Sequence, residues 1–198
     1  MRFNKNQLLF LILILSFVPC KSLLAQSGKF TADVSYPVQA GDNFFSDFDG
    51  VVSFDLGYSY PLSSTLSLDG HAGYTYSKYS FYLNLEQKTK TKAHIIELMA
   101  GPALHLLMAE DVHFSPYLEA GYARADVSND DFEGEINSNG INTEIGASFD
   151  FVGLEKIDIG LYASYQFIYL EKPEDFENVK HYRNMKWINF GVKTMYKF

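Results

Sequence analysis

The chain has 198 residues, 24 acidic against 16 Lys and Arg, one cysteine and a net charge of −8. One ordinary domain fits that length, the acidic balance argues against a nucleic-acid partner, and one cysteine leaves no internal disulfide. Phe (17) and Tyr (14) are abundant, a mix that suits strands better than helices.

Residues 1–25 read as a secretory signal peptide. Arg2 and Lys5 precede the apolar run LLFLILILSFV, and Ala25 marks the expected cleavage point. A membrane anchor needs about 20 apolar residues, and this run is shorter and ends abruptly. Cleavage removes Cys20 with Arg2, Lys5 and Lys21. That leaves 13 basic against 24 acidic residues, a net charge of −11, and no thiol chemistry. Residues 26–198 then form one domain.

From residue 28 the apolar residues alternate with period two, the pattern of half-buried strands. Phe30, Ala32, Val34 and Tyr36 open the series, opposite Lys29, Thr31, Asp33 and Ser35. A second run sets Val52, Phe54, Leu56, Tyr58 and Tyr60 against Ser53, Asp55, Gly57 and Ser59. The third sets Leu66, Leu68, Ala72, Tyr74 and Tyr76 against Ser67, Asp69, His71, Gly73 and Thr75. The fourth is less clean: Ile96, Leu98, Ala100, Leu104 and Leu106 share one face, while Met99 and Ala103 join Glu97, Gly101 and His105 on the other. Phe114, Leu118, Ala120 and Tyr122 oppose Ser115, Tyr117, Glu119 and Gly121. Ile141, Ile145, Ala147, Phe149 and Phe151 oppose Asn142, Glu144, Gly146, Ser148 and Asp150. Ile157, Ile159, Leu161, Ala163, Tyr165, Phe167 and Tyr169 oppose Asp158, Gly160, Ser164 and Gln166. Ile188, Phe190, Val192, Tyr196 and Phe198 close the chain, opposite Asn189, Gly191, Lys193 and Lys197.

These eight runs are joined by short links near Pro61–Ser64, Met108–Asp111 and Gly153–Glu155. Long polar links near Val38–Gly50, Lys78–Lys92, Asp126–Gly140 and Glu171–Met185 alternate with them. Short links at one end and long ones at the other are expected of an up-and-down antiparallel barrel whose ends face different surroundings.

The polar face points inward. Asp55-x-Gly57, His71-x-Gly73, Glu119-x-Gly121, Glu144-x-Gly146, Asp158-x-Gly160 and Asn189-x-Gly191 place glycine on that face in six runs. Glycine on a solvated face weakens a strand for no gain, whereas in a narrow lumen it makes room for neighbours. Aromatic residues flank an aliphatic band on the other face, as expected at two membrane interfaces. A soluble, lipocalin-like barrel turned the other way would be overfilled by those rings. The expected fold is all-β: an eight-stranded antiparallel transmembrane barrel with short periplasmic turns and four long extracellular loops.

With that pattern, residues 28–198 resemble the small eight-stranded outer-membrane barrels of the OmpA-like and OmpX-like family. The sharpest element is the last run, INFGVKTMYKF, with Tyr196, Phe198 and Gly191. In the family such an aromatic ending is read by the barrel-insertion machinery, so the resemblance implies that partner, along with outer-membrane lipid and lipopolysaccharide. Thr194 departs from the family's apolar position. No cofactor is expected, and a monomer is.

On the polar face Asp55, Asp69, His71, Glu97, Glu119, Glu144, Asp158 and Lys193 are the candidate lumen cluster, with Glu119, Glu144 and Lys193 at its centre. It reads either as a packed polar core or as a cation-preferring path, since a ring of one charge selects the opposite ion. Catalysis is not expected. Family members that deacylate lipid use a Ser and a His two residues apart on the outer wall, and here the only His-x-Ser, His113 and Ser115, faces inward at the short-link end. Glu171, Glu174 and Asp175 read as a solvated loop. Asp130, Asp131, Glu133 and Glu135 lack EF-hand spacing, so no metal site is assigned. Lys88, Lys90 and Lys92 could meet lipopolysaccharide phosphates. The expected role is structural, with the outer loops meeting an unidentified surface ligand; a narrow porin-like pore is the alternative. If the ending is an insertion address, Phe198→Ala lowers the yield of heat-modifiable barrel in isolated outer membranes several-fold, while synthesis and export stay unchanged.

Overall fold

Backbone hydrogen bonds join nine strand segments into a closed antiparallel ring in the computed structural model, which describes residues 28–41, 49–82, 88–129, 132–153, 155–171 and 184–198. The strands are β1 (Lys29–Gln39), β2 (Asp49–Pro61), β3 (Leu66–Tyr82), β4 (Lys88–Leu104), β5 (Leu106–Ala109), β6 (Val112–Asn129), β7 (Phe132–Val152), β8 (Ile157–Leu170) and β9 (Asn184–Lys197). β4 and β5 are two pieces of one barrel strand, parted at His105 and both paired with β6, so the ring has eight strands. Its seam is β1 against β9, eleven residue pairs from Lys29↔Lys197 to Gln39↔Trp187. Residues 1–27, which include the expected signal peptide, lie outside the described residues.

Three tight links lie at one end. In the first, the Ser63 hydroxyl accepts from the Thr65 and Leu66 backbone N–H groups at 3.2 and 3.1 Å, a local serine turn. In the second, Asp111 O accepts from Val152 N at 2.9 Å; in the third, Lys156 O accepts from Lys197 N at the same distance.

The other end differs from expectation. The Lys78–Lys92 and Asp126–Gly140 segments are mostly strand: β3 and β4 pair as far as Tyr82↔Lys88, and β6 and β7 as far as Asn129↔Phe132. The apolar alternation fades there because the strands have left the hydrocarbon, and an antiparallel ladder in water needs no apolar outer face. Residues 42–48 and 172–183, within the other two long links, lie outside the described residues.

The outer wall carries the apolar residues. Leu56, Leu98, Ile141 and Phe190 are all more than half exposed, as a wall facing lipid must be. On most strands this band runs over nine alternating residues, Phe30 to Val38 or Leu68 to Tyr76 for example, close to the roughly 9–11 residues a tilted strand needs to cross a bilayer. Aromatic contacts sit at its rims: Phe114 and Phe149 lie 5.2 Å apart, and Tyr196 meets Phe198 edge-on at 5.4 Å.

Glycine placement inside follows a rule of rows. Register puts one lumen-facing glycine between two larger residues on the flanking strands, and these meet over it. Tyr117 lies beside Gly146, Tyr162 beside Gly191, Asp150 and Lys193 flank Gly160, and Asp55 and Glu97 flank Gly73. A Cβ on Gly191 would fall 2.3 Å from the Tyr162 ring, and one on Gly121 only 1.9 Å from Leu98 O. Gly121→Ala is therefore expected to destabilise the barrel by about 3 kcal/mol or block folding, because backbone cannot yield as a side chain can. Gly70→Ala, with nothing nearer than 3.6 Å, shifts stability by no more than about 0.5 kcal/mol. Urea unfolding of barrels folded into lipid vesicles checks the pair.

Candidate functional site

The lumen is stratified into three tiers. Nearest the short links is a charged tier. Asp158, 1% exposed, takes Lys197 at 2.7 Å and Lys29 at 3.3 Å. Lys193 reaches Asp150 at 3.0 Å. Asp69 accepts from both Ser59 and Ser67 at 2.6 Å. His105 links these groups, its Nε2 2.9 Å from Ser67 Oγ and its Nδ1 3.0 Å from Ser115 Oγ, while Ser115 donates to Asp150 at 2.6 Å. The break between β4 and β5 falls at His105, whose side chain turns into this network.

The middle tier holds acids. His71 Nδ1 lies 3.1 Å from Glu119 Oε2. Tyr117 donates to Glu144 at 2.7 Å. Glu97, 4% exposed, accepts from Asn142 at 2.5 Å and from Gln166 at 2.7 Å, both on Oε2. Gln166 is in turn held by the Trp187 indole N–H. His71, Glu97, Tyr117, Glu119 and Glu144, with Asp33 and Asp55, surround a cavity of about 70 Å³ that extends toward Ser59 and Asp69, room for several waters.

The tier beneath the long links is apolar. Ala93, Ile95, Ala123, Ala125, Ile168, Leu170, Met185 and Trp187 pack together across the lumen, none more than 3% exposed. On β4, β6 and β9 the outer wall turns polar at this level, with Lys92, Arg124, Asp126 and Lys186, and Asn139 adds to it from β7. The wall exchanges its faces here: apolar outside and polar inside within the bilayer, the reverse above it.

Asp55, Asp69, His71, Glu97, Glu119, Glu144 and Lys193 line one cavity of the lumen, and Asp158 lies outside that lining. Lys193 pairs with Asp150 and not with Glu119 or Glu144, because Asp150, Gly160 and Lys193 share one row of the sheet. Gly191 gives space to Tyr162, while Tyr196 and Phe198 sit on the outer wall at the short-link rim. Asp150, Tyr162, Lys197 and Trp187 were not among the candidates. Tyr162 and Trp187 read as apolar residues beside other apolar residues, Leu161 and Ile188, which hides their inward direction. His113 belongs to the inward face, and Ser115 is 1% exposed. In a nucleophilic triad the carboxylate orients the imidazole; here Asp69 and Asp150 accept from Ser67 and Ser115 instead, so neither of these serines donates to His105. His94 lies on the outer wall against Tyr74, its Nδ1 2.7 Å from the phenol oxygen. Asp130 and Asp131 lie outside the described residues, and no side-chain position is described for Glu133 or Glu135.

A closed sheet with an apolar exterior, aromatic rims and a polar interior is a membrane-spanning β-barrel. The fold is that of the small eight-stranded outer-membrane barrels. Neisserial surface protein A is similar at a TM-score of 0.56 and 16% identity, over 86% of this chain and 97% of that one. A major outer membrane protein from Thermus thermophilus is similar at 0.50 and 12%, over 86% and 99%. The outer membrane enzyme PagL is similar at 0.40 and 14%, over 83% and 97%. No protein-family model matches the chain, and no curated protein matches its sequence.

The Asp150–Lys193 pair is buried on its acidic side and mostly buried on the other, 5% and 16% exposed. Lys193→Met, which strands the carboxylate, is expected to lower unfolding stability by about 3 kcal/mol. Adding Asp150→Asn in the same chain restores most of the loss, a double-mutant cycle read by urea titration.

Proposed function

We propose that this chain is an integral outer-membrane barrel whose role is structural and surface-interactive: it holds the long-link end outside the membrane as a rigid platform. The observation that carries this reading is the apolar tier. A pore needs a wetted path along its whole length, and hydrophobic constrictions exclude water and ions. Eight residues from β4, β6, β8 and β9 fill the lumen at that level and are shut off from solvent. The same packing gives the projecting hairpins a core of their own, as an interaction platform requires.

A non-catalytic role is part of the proposal. Barrel folds host enzymes as well as binding proteins, so this judgement rests on the site. Its support is the burial of Ser115 inside the lumen, engaged by Asp150 and His105. Outer-membrane lipid and lipopolysaccharide surround such a barrel, and a monomer with a cleaved leader fits the proposal.

Purified mature barrel added to a planar lipid bilayer is expected to give no steady conductance steps. Ion-selective steps from the wild-type chain would refute the closed-lumen reading and favour a cation-preferring pore. In the same recording, the double variant Trp187→Ala with Ile168→Ala is expected to give intermittent openings, because it empties the centre of the apolar tier.

A further inference from the structure

We infer that the middle tier of the lumen is a binding site for one divalent transition-metal ion, with zinc its best fit, held by Asp55, His71 and Glu97. The rows of the sheet point to it. Across Gly160 the flanking residues are an acid and a base, Asp150 and Lys193, and they form an ion pair. Across Gly73 the flanking residues are both acids, Asp55 and Glu97. Their oxygens converge over the glycine: a Cβ there would lie 2.2 Å from Asp55 Oδ1 and 2.7 Å from Glu97 Oε1. Two carboxylates meeting in a buried place need a proton or a cation between them.

Among the described residues no lysine is paired with them. Lys193 is on Asp150, and Lys29 and Lys197 are on Asp158. Asp55 Oδ1 is buried without a hydrogen-bond partner. His71, two residues along β3 from Gly73 on the same face, completes a set whose ligand atoms all lie within 4.8 Å of one another.

The surroundings have the form of an outer coordination shell. Metal-bound histidine donates its second ring N–H to a carboxylate, which fixes the ring and raises its basicity. His71 Nδ1 is on Glu119, which leaves Nε2 for the metal. Asn142 and Gln166 hold Glu97 through Oε2, and its Oε1 lies on the Gly73 side. One imidazole and two carboxylates, with room for water in the cavity, suit zinc; calcium takes about 6–8 oxygens and magnesium a near-octahedral oxygen shell. Binding asks the three ligands to close by roughly 1 Å, since donors at about 2.0–2.2 Å from zinc stand closer together than they do here.

The test uses untagged mature barrel folded in detergent, with folding verified for each variant by its heat-dependent gel mobility. Zinc chloride is titrated calorimetrically. Wild type is expected to bind one zinc per barrel, undisturbed by millimolar calcium. Asp55→Asn and Glu97→Gln each weaken binding at least tenfold, whereas Asp69→Asn, whose carboxylate is taken up by Ser59 and Ser67, leaves it unchanged. Should Glu97→Gln fail to fold, Asp55→Asn decides alone, because it alters an oxygen that no protein group holds. No zinc on the folded wild type, or wild-type affinity in folded Asp55→Asn, overturns the site.

Discussion

In hydrocarbon no water can satisfy a peptide N–H or C=O, so every backbone polar group that crosses the bilayer must find its partner in the protein. The seam between β1 and β9 meets that demand: eleven residue pairs close the sheet on itself and leave no edge within the membrane. Closing at eight strands has a consequence inside. A ring that small encloses a lumen only as wide as the side chains that fill it. In several rows glycine therefore stands between two larger residues and gives them room. From this spacing come the meeting of Asp150 with Lys193 over Gly160 and the places of Tyr117 and Tyr162.

The acids of the lumen are held by neighbours on other strands. Asp150 ties β7 to β9 across β8, Glu97 ties β4 to β7 and β8, and His105 joins serines on β3 and β6. Buried ion pairs add little net stability, because desolvation offsets most of the attraction. They do fix register. Sliding one strand by a residue would turn its charges toward lipid and its aliphatic residues into the lumen, and each broken contact would leave a buried charge unpaired.

Much of this was legible in the sequence. Period-two alternation from Phe30 to Phe198 defines eight strands, and the recurring polar residue followed two positions later by glycine marks the inward face. What stayed hidden depends on register between distant residues. Asp150 and Lys193 are 43 positions apart, and the pairing follows from turn geometry that no local pattern encodes. For the same reason Asp55, His71 and Glu97, on three successive strands, form no recognisable metal motif. The apolar tier was missed for another cause: the rule that apolar residues face lipid holds only within the bilayer. Above it the rule reverses, and the sequence records the crossover as adjacent apolar pairs, Ile95–Ile96 and Trp187–Ile188.

That crossover makes the wall a gauge of membrane thickness. If the barrel rode lower, Arg124 and Lys186 would enter hydrocarbon; if it rode higher, Ile96 and Ile188 would meet water. Both displacements are penalised from the same boundary, so the barrel's height in the bilayer is set to within about one residue pair, some 7 Å along a strand. A barrel pinned in this way passes changes in bilayer thickness to its surroundings as lipid deformation. Whatever the outer hairpins present is therefore held at a constant distance from the headgroups.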